Sequence, residues 1–273
     1  TFPSEDEQVA VYLQILEAYG SKPVHMRVLD IGGDKPLPYF PIKEENPALG
    51  WRGIRFCLDN SSLFMSQIRA MLRAAEGRDN LRIMLPMVGS TSELAGFHAL
   101  LNDALQQLQE EGVNVRRPPV GIMVEVPSAI SQLASWRDQL DFISIGSNDL
   151  SQYLLALDRN NPRVAASYDH VHPAVLHEIA RVISIAHQTD LPLSICGEMS
   201  SDPIAVMLLL GMGVRTLSMS AAQLPKIKWL LRRVSLDNAI AVVAEALLLN
   251  DAKQIRKLVA DRLYVLGAGE ILW

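Results

Sequence analysis

The chain has 273 residues, 49% of them hydrophobic and 6% aromatic, enough to bury a large core as one α/β barrel or as two small domains, and a single domain over 1–273 is expected. A net charge of -5 with scattered Lys and Arg gives no electrostatic footprint for nucleic acid, so an anionic ligand would need a local group of arginines. The two cysteines, Cys57 and Cys196, form no disulfide framework, the longest uncharged apolar run (205–214) is too short to span a bilayer, and Thr1 opens no signal peptide, so a soluble protein of a reducing cytoplasm is expected.

Ser4 and Glu7 make a capping-box pattern ahead of Val9, Leu13, Leu16 and Tyr19, which recur at helical spacing until Gly20. Because the chain begins without Met and directly in this pattern, it reads as a fragment of something longer. Pro23 to Leu29 reads as a strand with Arg27 and Asp30 at its carboxyl end. Gly32 and Gly33 then open a stretch with four prolines, Pro36, Pro38, Pro41 and Pro47, too long for an ordinary connector; the glycine pair suits a turn or a ligand loop equally. After Trp51 and Arg52 the pattern predicts a helix from Ser62 to about Ala75, a strand from Leu81 to Met87, and a helix with Leu94, Phe97, Leu101, Leu105 and Leu108 on one stripe, capped by Ser90 or Thr91 and stopped by Gly112.

Val120 to Glu125 is the next strand, with Glu125 at its end, and Pro127 begins a helix carrying Ile130, Leu133 and Trp136. The strand Phe142 to Ile145 is broken by Gly146, and Ser147, Asn148 and Asp149 follow where a strand empties into a helix. A helix from Ala174 to His187, a strand ending at Cys196, a helix from Pro203 to Gly211, a strand from Arg215 to Met219 and three amphipathic helices over 223–266 complete the reading. The alternation of strand and helix implies parallel strands, right-handed crossovers and an active site at the carboxyl ends of six strands.

Those ends offer Arg27, Arg52, Glu125, Asn148, Asp149, Arg159 and Cys196. Each alone has an ordinary explanation: a carboxylate can cap a helix, a cysteine is usually a small buried hydrophobe, and Arg159 can brace its own loop. As a set they suit chemistry. Two carboxylates without histidine favour a hard cation such as Mg²⁺, and three arginines suit a ligand carrying both phosphate and carboxylate.

Five phrases, Arg27-Val-Leu-Asp-Ile-Gly-Gly-Asp-Lys35, Lys43-Glu-Glu-Asn-Pro47 with Gly50-Trp-Arg-Gly-Ile-Arg55, Met123-Val-Glu-Val-Pro127, Ser144-Ile-Gly-Ser-Asn-Asp-Leu150 and Cys196-Gly-Glu198, resemble the phosphoenolpyruvate-binding domain of enzyme I, the phosphoenolpyruvate-protein phosphotransferase of the bacterial phosphotransferase system. Tyr153 to Val164 and Leu37 to Lys43 are closest to its nitrogen-related form. The resemblance covers nearly the whole chain and implies a (β/α)8 TIM-type barrel that here lacks its first two strands, the second of which carries a further substrate arginine in a Phe-Arg-Thr-Glu phrase. It implies Mg²⁺ held by Glu125 and Asp149, phosphoenolpyruvate gripped by Arg27, Arg52, Asn148 and Arg159, and Cys196 as the acid that protonates the enolate to pyruvate. The phosphoryl group would pass to a histidine of a separate N-terminal domain and on to a histidine phosphocarrier protein; none of the six histidines here matches that motif.

The resemblance further implies a cytoplasmic homodimer, with the last two helices offering apolar stripes, and a fragment inactive by itself for want of the phosphoryl acceptor. The missing strands would leave the edges of the strands ending at Leu29 and Met219 open. Alternatives are a module that senses phosphoenolpyruvate and dimerises without turnover, and a Mg²⁺-dependent aldolase or lyase of the related barrels, against which the Asn148-Asp149 pair and Cys196-Gly-Glu198 argue.

Overall fold

The capping box read from Ser4 and Glu7 is formed: the Ser4 backbone N–H donates to Glu7 Oε2 at 2.7 Å and the Glu7 N–H to Ser4 Oγ at 3.3 Å, starting helix α1, Glu5–Tyr19. Strand β1 (Val24–Arg27) follows, then two helices, α2 (Ile54–Asp59) and α3 (Ser61–Ala74), where the sequence pattern predicts only the second. Helix α2 is six residues long and opens at Gly53 with no side-chain cap, so it lacks the start signal that makes a helix legible. Strand β2 (Leu81–Leu85) leads to α4 (Thr91–Glu110), whose Ser90–Glu93 capping box and buried Leu94, Phe97, Leu101 and Leu108 match the expected stripe.

Strand β3 (Val120–Val124) precedes α5 (Pro127–Gln132), which passes into a 3-10 segment, Leu133–Gln139, containing the fully buried Trp136. The Trp136 indole N–H donates to Thr91 Oγ1 at 2.9 Å, the partner that burying an indole requires. Strand β4 (Phe142–Gly146) runs directly into α6 (Ser147–Leu155), and α7 (Pro173–Gln188), β5 (Leu193–Cys196) and α8 (Pro203–Met212) follow. The three expected C-terminal helices are α9 (Leu224–Leu231), α10 (Leu236–Ala246) and α11 (Ala252–Val265).

The structure, a computed structural model, describes residues 2–32, 40 and 42–272. The five strands are parallel and follow one another in chain order, β1-β2-β3-β4-β5, so the protein is of the α/β class. The sixth expected strand, Arg215 to Met219, is reduced to one parallel bridge, Ile195 with Leu217. Two ladder bonds form there, Ile195 N–H to the Thr216 carbonyl at 3.1 Å and Ser218 N–H to the Ile195 carbonyl at 2.8 Å. Around this bridge side chains also bond the backbone: Ser200 Oγ donates to the Ser218 carbonyl at 2.5 Å, and Arg215 Nη1 donates to the Val214 carbonyl and to the Leu210 carbonyl of α8 at 3.0 Å each.

The chain divides into two compact units, Thr1–Met123 with Ser135–Phe142, and Val124–Ala134 with Ile143–Trp273. In the first, Val24 to Arg27 pair in register with Leu81 to Met84 and Ile83 to Leu85 with Val120 to Ile122. Gly121 of β3 is required by packing, since a Cβ there would run into the Phe142 carbonyl and ring. In the second, Ile143 to Gly146 pair with Leu193 to Cys196. This register sets Cys196 beside Gly146, one residue before the polar run. Among the described residues no helix is long and apolar enough to cross a membrane.

Candidate functional site

The seven predicted site residues fall into two groups, one in each unit. In the first unit Arg27 ends β1 and Arg52 lies two residues before α2. Both turn toward Asp30. Arg52, 1% exposed, meets the carboxylate with Nε 3.4 Å from Oδ1 and Nη2 3.0 Å from Oδ2, and Arg27 Nη1 lies 3.6 Å from the same Oδ2. Arg27, with a side chain 37% exposed, also directs Nη1 to the Met123 thioether at 3.8 Å. Two guanidiniums thus share this one carboxylate.

The turn that presents Arg52 is fixed by Glu44, whose carboxylate accepts from the Trp51 N–H at 2.9 and 3.1 Å, while the Trp51 indole donates to Asp59 Oδ2 at 2.7 Å. Gly33, Asp34 and Lys35 of the first family-like phrase, with Pro36, Pro38 and Pro41, lie outside the described residues. A cavity of about 390 Å³ in this unit, bordered by Phe2, Tyr12, Phe56 and Phe64, contains none of the seven residues.

The second unit brings Glu125, Asn148, Asp149, Arg159 and Cys196 into one compact body. Glu125, 1% exposed, directly follows β3, and Asp149, 7% exposed, lies in the first turn of α6, where an acidic side chain is favoured by the helix dipole. Arg159 Nη1 lies 3.7 Å from Asp149 Oδ1, and the Arg159 N–H donates to Gln152 Oε1 at 3.1 Å, tying the loop after α6 back onto that helix.

Asn148 and the end of β5 interlock. The Glu198 N–H donates to Asn148 Oδ1 at 3.0 Å, Ser147 Oγ donates to the Cys196 carbonyl at 2.7 Å, and the Cys196 thiol donates to the Ile145 carbonyl at 3.4 Å. With its Oδ1 so engaged, Asn148 has its amide orientation defined. Gly197, at φ +89°, permits this: a Cβ there would overlap Ser147 Oγ and come within 2.8 Å of Asn148 Oδ1. The Tyr168 hydroxyl donates to the Asn148 carbonyl at 3.1 Å, and burial pushes its phenol up, keeping it a neutral donor. Sequence reasoning missed Ser147, Gln152, Tyr168 and Gly197 as supports: Ser147 and Tyr168 meet partners 49 and 20 residues away, Gly197 is fixed by the approach of Ser147 and Asn148, and the Gln152 side chain takes a backbone N–H seven residues on, which no motif announces.

The second unit also holds an ionic cluster. Arg256 of α11 donates from Nε and Nη2 to the two oxygens of Asp169 at 2.7 Å each and from Nη1 to Asp202 Oδ2 at 2.9 Å, and His170 Nε2 lies 2.8 Å from the same Oδ2. Asp202 Oδ1 also caps α8 by accepting from the Ile204 N–H at 3.0 Å. Burial works to raise the Asp202 carboxyl, but the His170 hydrogen bond and the Arg256 charge outweigh it and hold it at about 2, against an ordinary 3.8. The folded carboxyl thus binds its proton more weakly than the unfolded one, so unfolding takes up a proton as pH falls from about 4 to about 2. Stability contributed above pH 4 is lost across that window. Asp202→Asn should therefore remove about 2 kcal/mol of acid sensitivity between pH 4 and pH 2, read from urea midpoints; an unchanged difference would take Asp202 out of that role.

Among the described residues no three or more His, Cys, Asp or Glu side chains are grouped to hold a metal; Glu125, directly after β3, and Asp149, in the first turn of α6, are buried carboxylates, the oxygen type that hard divalent cations favour.

Comparison with known proteins follows this geometry. Over 272 residues the chain is 44% identical to a protein named "Phosphoenolpyruvate-dependent phosphotransferase system" of Salmonella typhimurium and 45% identical to its namesake of Escherichia coli K12, covering 99% of this chain and 36% of each relative. Over 255 residues it is 42% identical to the phosphoenolpyruvate-protein phosphotransferase of Geobacillus stearothermophilus, covering 93% of this chain and 44% of the relative. The chain thus spans between about a third and a half of the length of these curated relatives. A solved citrate lyase of Burkholderia xenovorans LB400 aligns with 99% of this chain and 93% of its own at 16% identity and a TM-score of 0.49. The family model described as "PEP-utilising enzyme, PEP-binding domain" matches residues 1–236, and the chain belongs to that family.

Proposed function

We propose that the chain binds phosphoenolpyruvate with Mg²⁺ and, within a longer protein, serves a phosphoenolpyruvate-protein phosphotransferase of the nitrogen-related form. The observation that carries this reading is that three strand ends of one unit bear Glu125, Asn148 with Asp149, and Cys196, with Arg159 on Asp149. In this reading Glu125 and Asp149 hold the cation, whose charge, when bound, neutralises the phosphoryl oxygens and the enol oxygen. In the second unit Arg159 and the Asn148 amide are assigned to the ligand's anionic groups, and in the first unit Arg27 and Arg52 are the pair assigned to substrate.

The phosphoryl group leaves the enol oxygen for a histidine nitrogen of an N-terminal domain, which relays it to a histidine phosphocarrier protein. The electron pair of the broken P–O bond stays on the enolate, whose C3 takes the Cys196 proton to give pyruvate, and solvent restores the thiol. Without the acceptor histidine the chain alone binds but does not turn over. Of the apolar stripe expected on the last two helices, Ala239, Val243, Ile255 and Leu263 are buried within the chain, so the surface we assign to a homodimer is the exposed Leu236, Ile240, Leu248, Tyr264 and Val265 on or just beyond α10 and α11.

Titration calorimetry in Mg²⁺ tests the reading. Phosphoenolpyruvate should bind this chain at least about tenfold more tightly than phosphate or pyruvate alone, since each offers half of the charged groups, and light scattering of the sample should give twice the chain mass. Equal affinities for the three ligands would remove the substrate assignment; a monomer would remove the dimer surface alone.

A further inference from the structure

The first unit places one carboxylate between the two arginines that the reading above assigns to substrate. Asp30 has a side chain 1% exposed, as does Arg52, and a guanidinium that deep must be matched by a negative charge. Its Oδ2 is 3.0 Å from Arg52 Nη2 and 3.6 Å from Arg27 Nη1, while Oδ1 takes Arg52 Nε at 3.4 Å. This edge-on, two-point pairing fixes the plane of the Arg52 guanidinium as well as its position. Arg27 leaves β1 three residues before Asp30, and Arg52 arrives from a segment 22 residues beyond it, so the shared carboxylate is where the two side chains acquire a common reference.

Asp30 has two effects of opposite sign on an anionic ligand. As a negative charge it repels the ligand, and as an orienting group it spaces two cations that would otherwise repel each other. We infer that the second effect dominates: Asp30 is a positioning residue that sets the separation of the Arg27 and Arg52 guanidiniums for a ligand bearing two anionic groups. This inference rests on the proposed phosphoenolpyruvate site.

The test compares phosphoenolpyruvate, which must meet both arginines, with inorganic phosphate, which need not. With Mg²⁺ present, Asp30→Asn should weaken phosphoenolpyruvate binding by about tenfold or more, because small misplacements of binding groups carry penalties of that size, and leave phosphate binding unchanged or tighter. Tighter or unchanged phosphoenolpyruvate binding would show that Asp30 acts only as a charge, and equal weakening of both ligands would reduce it to a structural role; either overturns the inference. Asp30→Glu keeps the charge and lengthens the reach, so it should also lose phosphoenolpyruvate affinity; wild-type affinity in this variant overturns the inference even if Asp30→Asn fails to fold. A wild-type chain that binds no phosphoenolpyruvate sinks the site and this inference together, whereas a wild-type chain that binds beside an indifferent Asp30→Asn sinks the inference alone.

Discussion

Asp149→Ala should abolish phosphoenolpyruvate binding, and EDTA should do the same to the unaltered chain. The magnitude follows from the role: removing an outer partner of a metal ligand typically lowers metal affinity about 10- to 100-fold, so losing one of only two protein ligands should cost at least about 100-fold. The carboxylate suits this role because it is 7% exposed and stands in the first turn of α6, directly after a strand end. Glu178 of α7 supplies the control. It faces Arg181 at 3.5 Å on the helix surface, and its removal should change stability by no more than about 0.5 kcal/mol and leave binding intact. Calorimetry on the two variants, with and without EDTA, decides the matter; wild-type affinity in EDTA would take Glu125 and Asp149 out of the metal role.

What the sequence discloses and what it hides divide along contact range. Both capping boxes, Ser4 with Glu7 and Ser90 with Glu93, span three residues and are visible as letters, and the Leu94 to Leu108 stripe is visible as a period. The strand ends are visible as well, because Pro, Gly and Asx residues punctuate them, which is why Glu125 and Asp149 could be nominated as a pair. The sixth strand misleads because alternation reports a tendency toward extended backbone and not a ladder; among the described residues that segment forms one bridge, Leu217 with Ile195. Asp30 is conspicuous only after folding. Its letter stands beside Arg27 in the chain, but its tighter partner, Arg52, comes from beyond a proline-rich stretch, and no local pattern encodes that meeting. Gly197 is similar: the letter marks a turn, and only the approach of Ser147 and Asn148 explains why no side chain can stand there.

Cys196→Ala should separate the two halves of the proposed reaction in a protein that also contains the phosphoryl-accepting histidine. Phosphoryl exchange between phosphoenolpyruvate and that histidine should persist, because breaking the P–O bond asks nothing of the thiol, whereas pyruvate release should slow by about 100-fold or more, the usual worth of a positioned general acid. Cys196 differs from Cys57 in access, being only partly buried where Cys57 is buried. The Cys196 thiol points its hydrogen at the Ile145 carbonyl, 3.4 Å away, and the Cys196 backbone is anchored by the Ser147 hydroxyl at 2.7 Å, so the sulfur keeps its place when the local hydrogen bond is exchanged for a substrate carbon. Cys57 is the contrast. Burial, then the nearby Asp30 carboxylate, pushes its thiol up to about 12, and it donates to the Leu29 carbonyl in the interior of the first unit. Cys57→Ala should lower stability by about 1 kcal/mol, as a lost buried side chain does, without changing the ratio of exchange to pyruvate release. Rapid-quench measurement of both rates in the two variants separates the roles, and equal ratios in Cys196→Ala and Cys57→Ala would mean that the enolate takes its proton from another group.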